Sequence, residues 1–139
     1  MNINEKIQTK FKSILESDSY SVITAYDAEE DETECGEVVA INISAVEDMG
    51  NTGCNDNKFT LVFNGQTLAP EDKNKTKLNA IFAEVMKKLG EVSVDELTED
   101  IGDVADFSVT GSTFQSDGES YNFGITAELV VCNVDFSEN

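Results

Sequence analysis

The sequence predicts an α+β domain over residues 1–139, an antiparallel β-sheet with two main helices packed on one face, in the order α-β-β-β-α-(α)-β-β. Three observations predict it. Two segments carry apolar residues at three-four spacing, five carry alternating β-formers, and clusters of turn residues separate them. The chain has a single proline, Pro70, and only nine glycines, so few long flexible linkers are expected, and it shows no internal repeat.

Asn2 to Ser17 reads as a helix, with Ile3, Ile7, Phe11, Ile14 and Leu15 on one stripe and Lys6, Lys10 and Lys12 off it. Asn2 and Glu5 have the chemistry of a helix start. Tyr20 to Tyr26 alternates as a strand, and Glu37 to Val46 as another, with Val39, Ile41, Ile43 and Ala45 on one face. These two strands are expected to pair as an antiparallel hairpin with the acidic run Asp27 to Glu34 at its tip. Glu47 to Asn57 is a loop, and Lys58 to Asn64 a strand with Phe59, Leu61 and Phe63 together. The strongest helix carries Leu78, Ile81, Phe82, Val85, Met86 and Leu89, with Gly90 placed as its stop. A shorter helix follows, with Ser93 and Glu96 at capping-box spacing. Asp106 to Gln115 is a strand with Phe107, Val109 and Gly111 on one face. Asp117-Gly118 is a hairpin signal, and Ser120 to Phe136 a long final strand whose far end is apolar on both faces.

Composition narrows the function. Twenty-eight acids face nine lysines, giving a net charge of −19, and arginine, histidine and tryptophan are absent. Such a surface repels phosphates, so no specific nucleic-acid binding is expected. Cys35, Cys54 and Cys132 are odd in number and never C-x-x-C, which argues against a disulfide scaffold and a structural zinc site. No stretch reaches the roughly 18 apolar residues of a membrane span. The N-terminus lacks the apolar run of a signal peptide, so cytoplasm-like conditions and no membrane partner are expected.

Nothing composes a catalytic site. Without histidine there is no imidazole-based triad, and no cation is paired in sequence with a cysteine. Glycine-rich phosphate loops are missing, and carboxylate pairs are too abundant to be specific. The acidic stretches DAEEDETE, EDMGNTGCNDN and ELTEDIGDVAD offer hard oxygens, yet none has the spacing of a calcium loop. The expectation is no enzyme, no catalytic residue, no cofactor and no metal site. NIS (Asn42 to Ser44) and NKT (Asn74 to Thr76) match the glycosylation pattern, which carries no weight without a secretory signal.

The order of elements resembles the tail terminator and tail-completion (head–tail joining) family of tailed bacteriophages. VVAINISAVED, a turn-rich loop and KFTLVFNGQT resemble the family's second and third strands; NKTKLNAIFAEVMKKLG resembles its central helix; FSVTGSTFQSDGESYNFGITAELVV resembles its closing hairpin. The resemblance covers nearly the whole chain through patterns of type and order. It implies a virion protein, assembled in the host cytoplasm, that forms a homo-oligomeric ring, commonly a hexamer. That ring caps the tail-tube protein and offers a docking face to the head-completion or connector protein. In such a ring Asp27, Glu29, Glu30, Asp31, Glu32 and Glu34 are candidates to line the lumen, where acids would keep DNA from sticking, or to face a neighbour. Lys73, Lys75 and Lys77 are candidates to pair with a neighbour's acids. Two other readings stand beside it: an acidic DNA-mimic inhibitor and a cytoplasmic protein-interaction adaptor.

Overall fold

The first apolar stripe forms helix α1 (Ile3–Leu15) in the computed structural model, which describes residues 1–27, 37–50, 55–67, 73–116 and 121–136. Ile3, Ile7, Phe11 and Leu15 are buried on the inner side of α1. Its start is capped by Asn2, whose Oδ1 accepts from the Glu5 N–H at 2.8 Å and so satisfies one of the orphan donors of the first turn. Its end has no glycine. Lys88 of the next helix instead donates to the Glu16 carbonyl at 2.7 Å, placing a cation at the negative end of the helix dipole. Asn2→Ala is expected to cost about 1 kcal/mol, read from urea denaturation followed by circular dichroism.

Helix α2 (Lys73–Gly90) buries Leu78, Ile81, Val85 and Leu89, with Phe82 and Met86 partly covered. Gly90 lies inside the helix, outside the left-handed region, rather than just beyond its end as a stop. Helix α3 (Val94–Ile101) starts as expected, Ser93 Oγ accepting from the Glu96 N–H at 3.1 Å, and buries Leu97 and Ile101. Gly102, at φ 133°, turns the chain sharply into the next strand in a backbone region that only glycine enters freely.

The sheet has five strands: β1 (Ser21–Thr24), β2 (Glu37–Asp48), β3 (Asn57–Thr67), β4 (Val104–Ser116) and β5 (Tyr121–Val131), ordered β1-β2-β3-β5-β4. Phe59, Leu61 and Phe63 of β3 and Phe123, Ile125, Ala127, Leu129 and Val131 of β5 form the centre of one continuous core under the helices. Phe11 stands edge-on to Phe63, with ring centroids 5.6 Å apart, and lies 5.2 Å from Phe107. All three helices pack on this one side, so the α+β class and the element order agree with the sequence reading.

Within the sheet, four further details differ from that reading. The sheet is mixed, because β1 runs parallel to β2 (Ser21↔Val38 to Thr24↔Ile41) and does not form the expected antiparallel hairpin. The reason lies just after β1. The Ala25 N–H donates to the buried Gln8 Oε1 at 3.0 Å, and Asp27 accepts from the Thr24 N–H at 2.6 Å and from Lys12 at 2.7 Å. The chain is thereby drawn onto α1, out of the sheet plane. Residues 25–36 are also long enough for the crossover that a parallel pair needs, about a dozen residues. Second, a bulge between Ile43 and Ala45 shifts the register, so Ala45 leaves the face of Ile43 and Val46, opposite Phe59, takes its place. Third, a bulge between Val109 and Gly111 moves Gly111 off the face of Phe107 and Val109; Ser112 and Phe114 continue that face.

Fourth, the last strand ends at Val131. Asn133, at φ 53°, bends the chain back, and the Val134 N–H reaches the Asn55 carbonyl at 2.8 Å. That bend folds Val134 into the core, while Phe136 rests against Phe59 half-exposed. The apolar end is therefore accommodated largely within the protein's own sheet end.

Candidate assembly surface

The residues expected to carry an interface or line a lumen are only partly within view. Glu29, Glu30, Asp31, Glu32 and Glu34 lie outside the described residues. Lys73 and Lys75 belong to the first turn of α2, and their side chains also lie outside. Asp27 and Lys77 are described, and each has a partner in its own chain: Asp27 pairs with Lys12 at 2.7 Å and Lys77 with Glu37 at 3.1 Å. In the second pair the Lys77 side chain is exposed while that of Glu37 is mostly covered.

Asp27 is a structural group. Burial works against its ionisation, but the hydrogen bonds from Lys12 and from the Thr24 N–H, with the Lys12 charge, outweigh it and hold the carboxyl below its ordinary value. A lowered folded-state pKa stabilises the protein above the unfolded value, about 3.9, and the contribution disappears as pH falls through the folded value. Asp27→Asn is therefore expected to melt below the wild type at pH 7. The gap should narrow as pH drops under about 4, measured by thermal melts across a pH series.

Lys10 and Lys88 are similarly paired. Lys10 donates to Asp100 at 2.6 Å, tying α1 to α3, and that hydrogen bond raises its pKa despite some burial. A shallow groove between the start of β2 and α2 is bordered by Glu37, Lys77 and Glu84, and Glu84 is 2.9 Å from Lys88. Among the described residues no group of three or more cysteine or acidic side chains is placed to hold a metal ion, and no helix is long and apolar enough to cross a membrane.

The broad surface is the sheet face opposite the helices. Asn42, Asn64, Gln66, Thr113 and Gln115 point outward there and are exposed. Its charged strand positions are Glu47, Lys58, Asp106 and Glu128, and Lys58 bridges two of the three acids, Glu47 at 3.1 Å and Glu128 at 3.3 Å. Those hydrogen bonds, Glu47 first, raise the pKa of Lys58. The other strand positions of this face are uncharged, in a chain of net charge −19.

At the sheet's β4 rim Phe114 is 51% exposed, its ring 4.7 Å from Phe82 and 6.3 Å from Phe123. Sequence reading placed no weight on Phe114 or Lys58. A signal for Phe114 existed: in DFSVTGSTFQ the apolar residues Phe107 and Val109 are followed by Phe114, and the change of parity marks the bulge between them.

The fold matches that of a virion chain. A chain of a solved structure titled "Virion of native gene transfer agent (GTA) particle" superposes with a TM-score of 0.59 at 12% sequence identity, covering 94% of this chain and 91% of that one. No protein-family model matches the sequence, and no curated protein matches it either. The likeness is one of overall fold, and it runs nearly end to end in both chains.

Proposed function

We propose that the chain is a non-enzymatic structural component of a phage-type virion. In this reading it works at the tail, where copies assemble into a ring that caps the tail tube and presents a docking face to the head connector. The observation that carries this reading is the near-complete fold correspondence with a chain of a gene transfer agent particle. The geometry supports it in kind: a sheet face with few charges, and rims that no strand pairs with among the described residues, suit protein neighbours, whereas a DNA mimic needs rows of carboxylates at phosphate spacing. In a ring, the residual negative charge would keep DNA in transit from adhering. The candidates Glu29 to Glu34, Lys73 and Lys75 retain their proposed roles at lumen or neighbour.

The test is polymerisation of a purified phage tail-tube protein, with and without the purified chain, followed by negative-stain microscopy. Capping predicts shorter tubes of uniform end structure and the chain located at one end by gold labelling. Tubes of unchanged length with no label at their ends would overturn the reading.

A further inference from the structure

The two rims of the sheet match each other. Following the register across all five strands, Val22, Val39, Gly65, Phe123 and Phe114 lie in one row, and Ile23, Ala40, Asn64, Gly124 and Thr113 in the next. The outer rows are Ser21 with Gln115 and Thr24 with Ser112. So β1 and the stretch Ser112–Gln115 of β4 occupy the same four rows at opposite rims. They run antiparallel to each other, since β1 is parallel to β2 and to β5, while β4 opposes β5. Among the described residues no strand pairs with the outer side of either.

Both stretches are suited to pairing. The bulges of β4 fall between Val104 and Asp106 and between Val109 and Gly111, leaving Ser112 to Ser116 in regular register. Bulges, lysines and prolines are the usual devices that blunt a sheet edge, and this stretch has none of them. Neither Ser21–Thr24 nor Ser112–Gln115 holds a charged residue, in a chain where 27% of residues are charged. Strongly anionic subunits approach one another more readily where neutral surfaces meet, because like charges placed opposite are destabilising. Phe114 stands half-exposed at one rim, on the helix side of the sheet, and Val22 on the same side at the other.

We infer that the occupant of each rim is a second copy of this chain: β4 (Ser112–Gln115) of one subunit adds antiparallel to β1 of the next, seating Phe114 beside Val22 and Thr113 beside Ile23. The contact is head-to-tail, because the two rims differ, and a head-to-tail contact without offset along the strands closes into a ring when its rotation closes. The inference deepens the proposed function and rests on its ring reading, to which it supplies the subunit contact.

The experiment uses two full-length variants, Phe114→Asp at one rim and Ile23→Asp at the other, with wild type, in buffer salty enough to screen surface charge. Mass is read by light scattering, and folding by thermal melts. Wild type is expected to form oligomers that grow with concentration or on adding tail-tube protein. Each variant, folded, should run at the mass of one chain. An equimolar mixture of the two should give dimers, since one intact rim of each remains. Oligomers of wild-type mass from either variant alone would overturn the pairing, as would a wild type that stays monomeric under every condition. Dimers from Ile23→Asp alone, with none from the mixture beyond those, would show β4 meeting β4 about a two-fold axis and would overturn the head-to-tail contact. Phe114→Asp that caps tubes as well as wild type overturns the rim contact and leaves the proposed function standing. A wild type that oligomerises but neither shortens nor labels tubes overturns that function and leaves the contact.

Discussion

Phe11→Ala is expected to lower the melting temperature by about 10–20 °C, which follows from a loss of about 3–5 kcal/mol for a fully buried phenylalanine in a chain of this size. The ring is completely buried and lies where three parts of the structure meet: its own helix, the central strand through Phe63, and the outer strand β4 through Phe107. Removing it opens a cavity that cannot close cheaply, because the neighbours belong to different elements. Phe11→Leu keeps most of the volume and should cost less than half as much, so the pair separates packing from mere hydrophobicity. Differential scanning calorimetry on both variants measures it. Equal melting points for wild type and Phe11→Ala would show that α1 does not hold the sheet as described.

Gly65→Ala comes second. A Cβ on Gly65 would sit 2.1 Å from two atoms of the Phe123 ring, which lies over the glycine as its direct cross-strand partner. The ring cannot retreat far, since it is itself buried and edge-on to Phe82 at 5.3 Å. Overpacking of this kind costs about 1–3 kcal/mol, and the overlap here points to the upper end. The cost is a property of the pair. Phe123→Leu alone should also destabilise, whereas the double variant should be more stable than the sum of the singles predicts. Additive losses in urea denaturation would refute the contact.

The helices and the inner strands were legible because each carries a single unbroken period. Ile3, Ile7 and Phe11 share a helix face, and Phe59, Leu61 and Phe63 share a strand face, with no long-range information needed. Legibility stopped where the period slips. At the bulges near Ser44 and Thr110 the two-residue alternation gains a residue, and every later assignment of face reverses, as Ala45 and Gly111 did. The direction of β1 was not legible at all. Two alternating segments joined by a polar run look the same whether they pair directly or through a crossover, and the choice is made by Gln8 and Lys12, 15 to 17 residues earlier. The candidate surface shows the same limit. Asp27 and Lys77 looked available for a neighbour because their partners, Lys12 and Glu37, are distant in sequence.

The way β1 is held has a dynamic consequence. A border strand joined by a tight turn frays independently of distant helices, but this one is tied at its end to side chains of α1. Its four residues are therefore coupled to that helix: when α1 lifts, the border strand loses Gln8 and Asp27–Lys12 together and keeps only its ladder to β2 at that end. Residues 3–24 form a clasp, and amide exchange along β1 should track α1 more closely than it tracks the adjacent β2. Whatever seats a neighbouring molecule against that border would, by the same linkage, fasten the N-terminal helix.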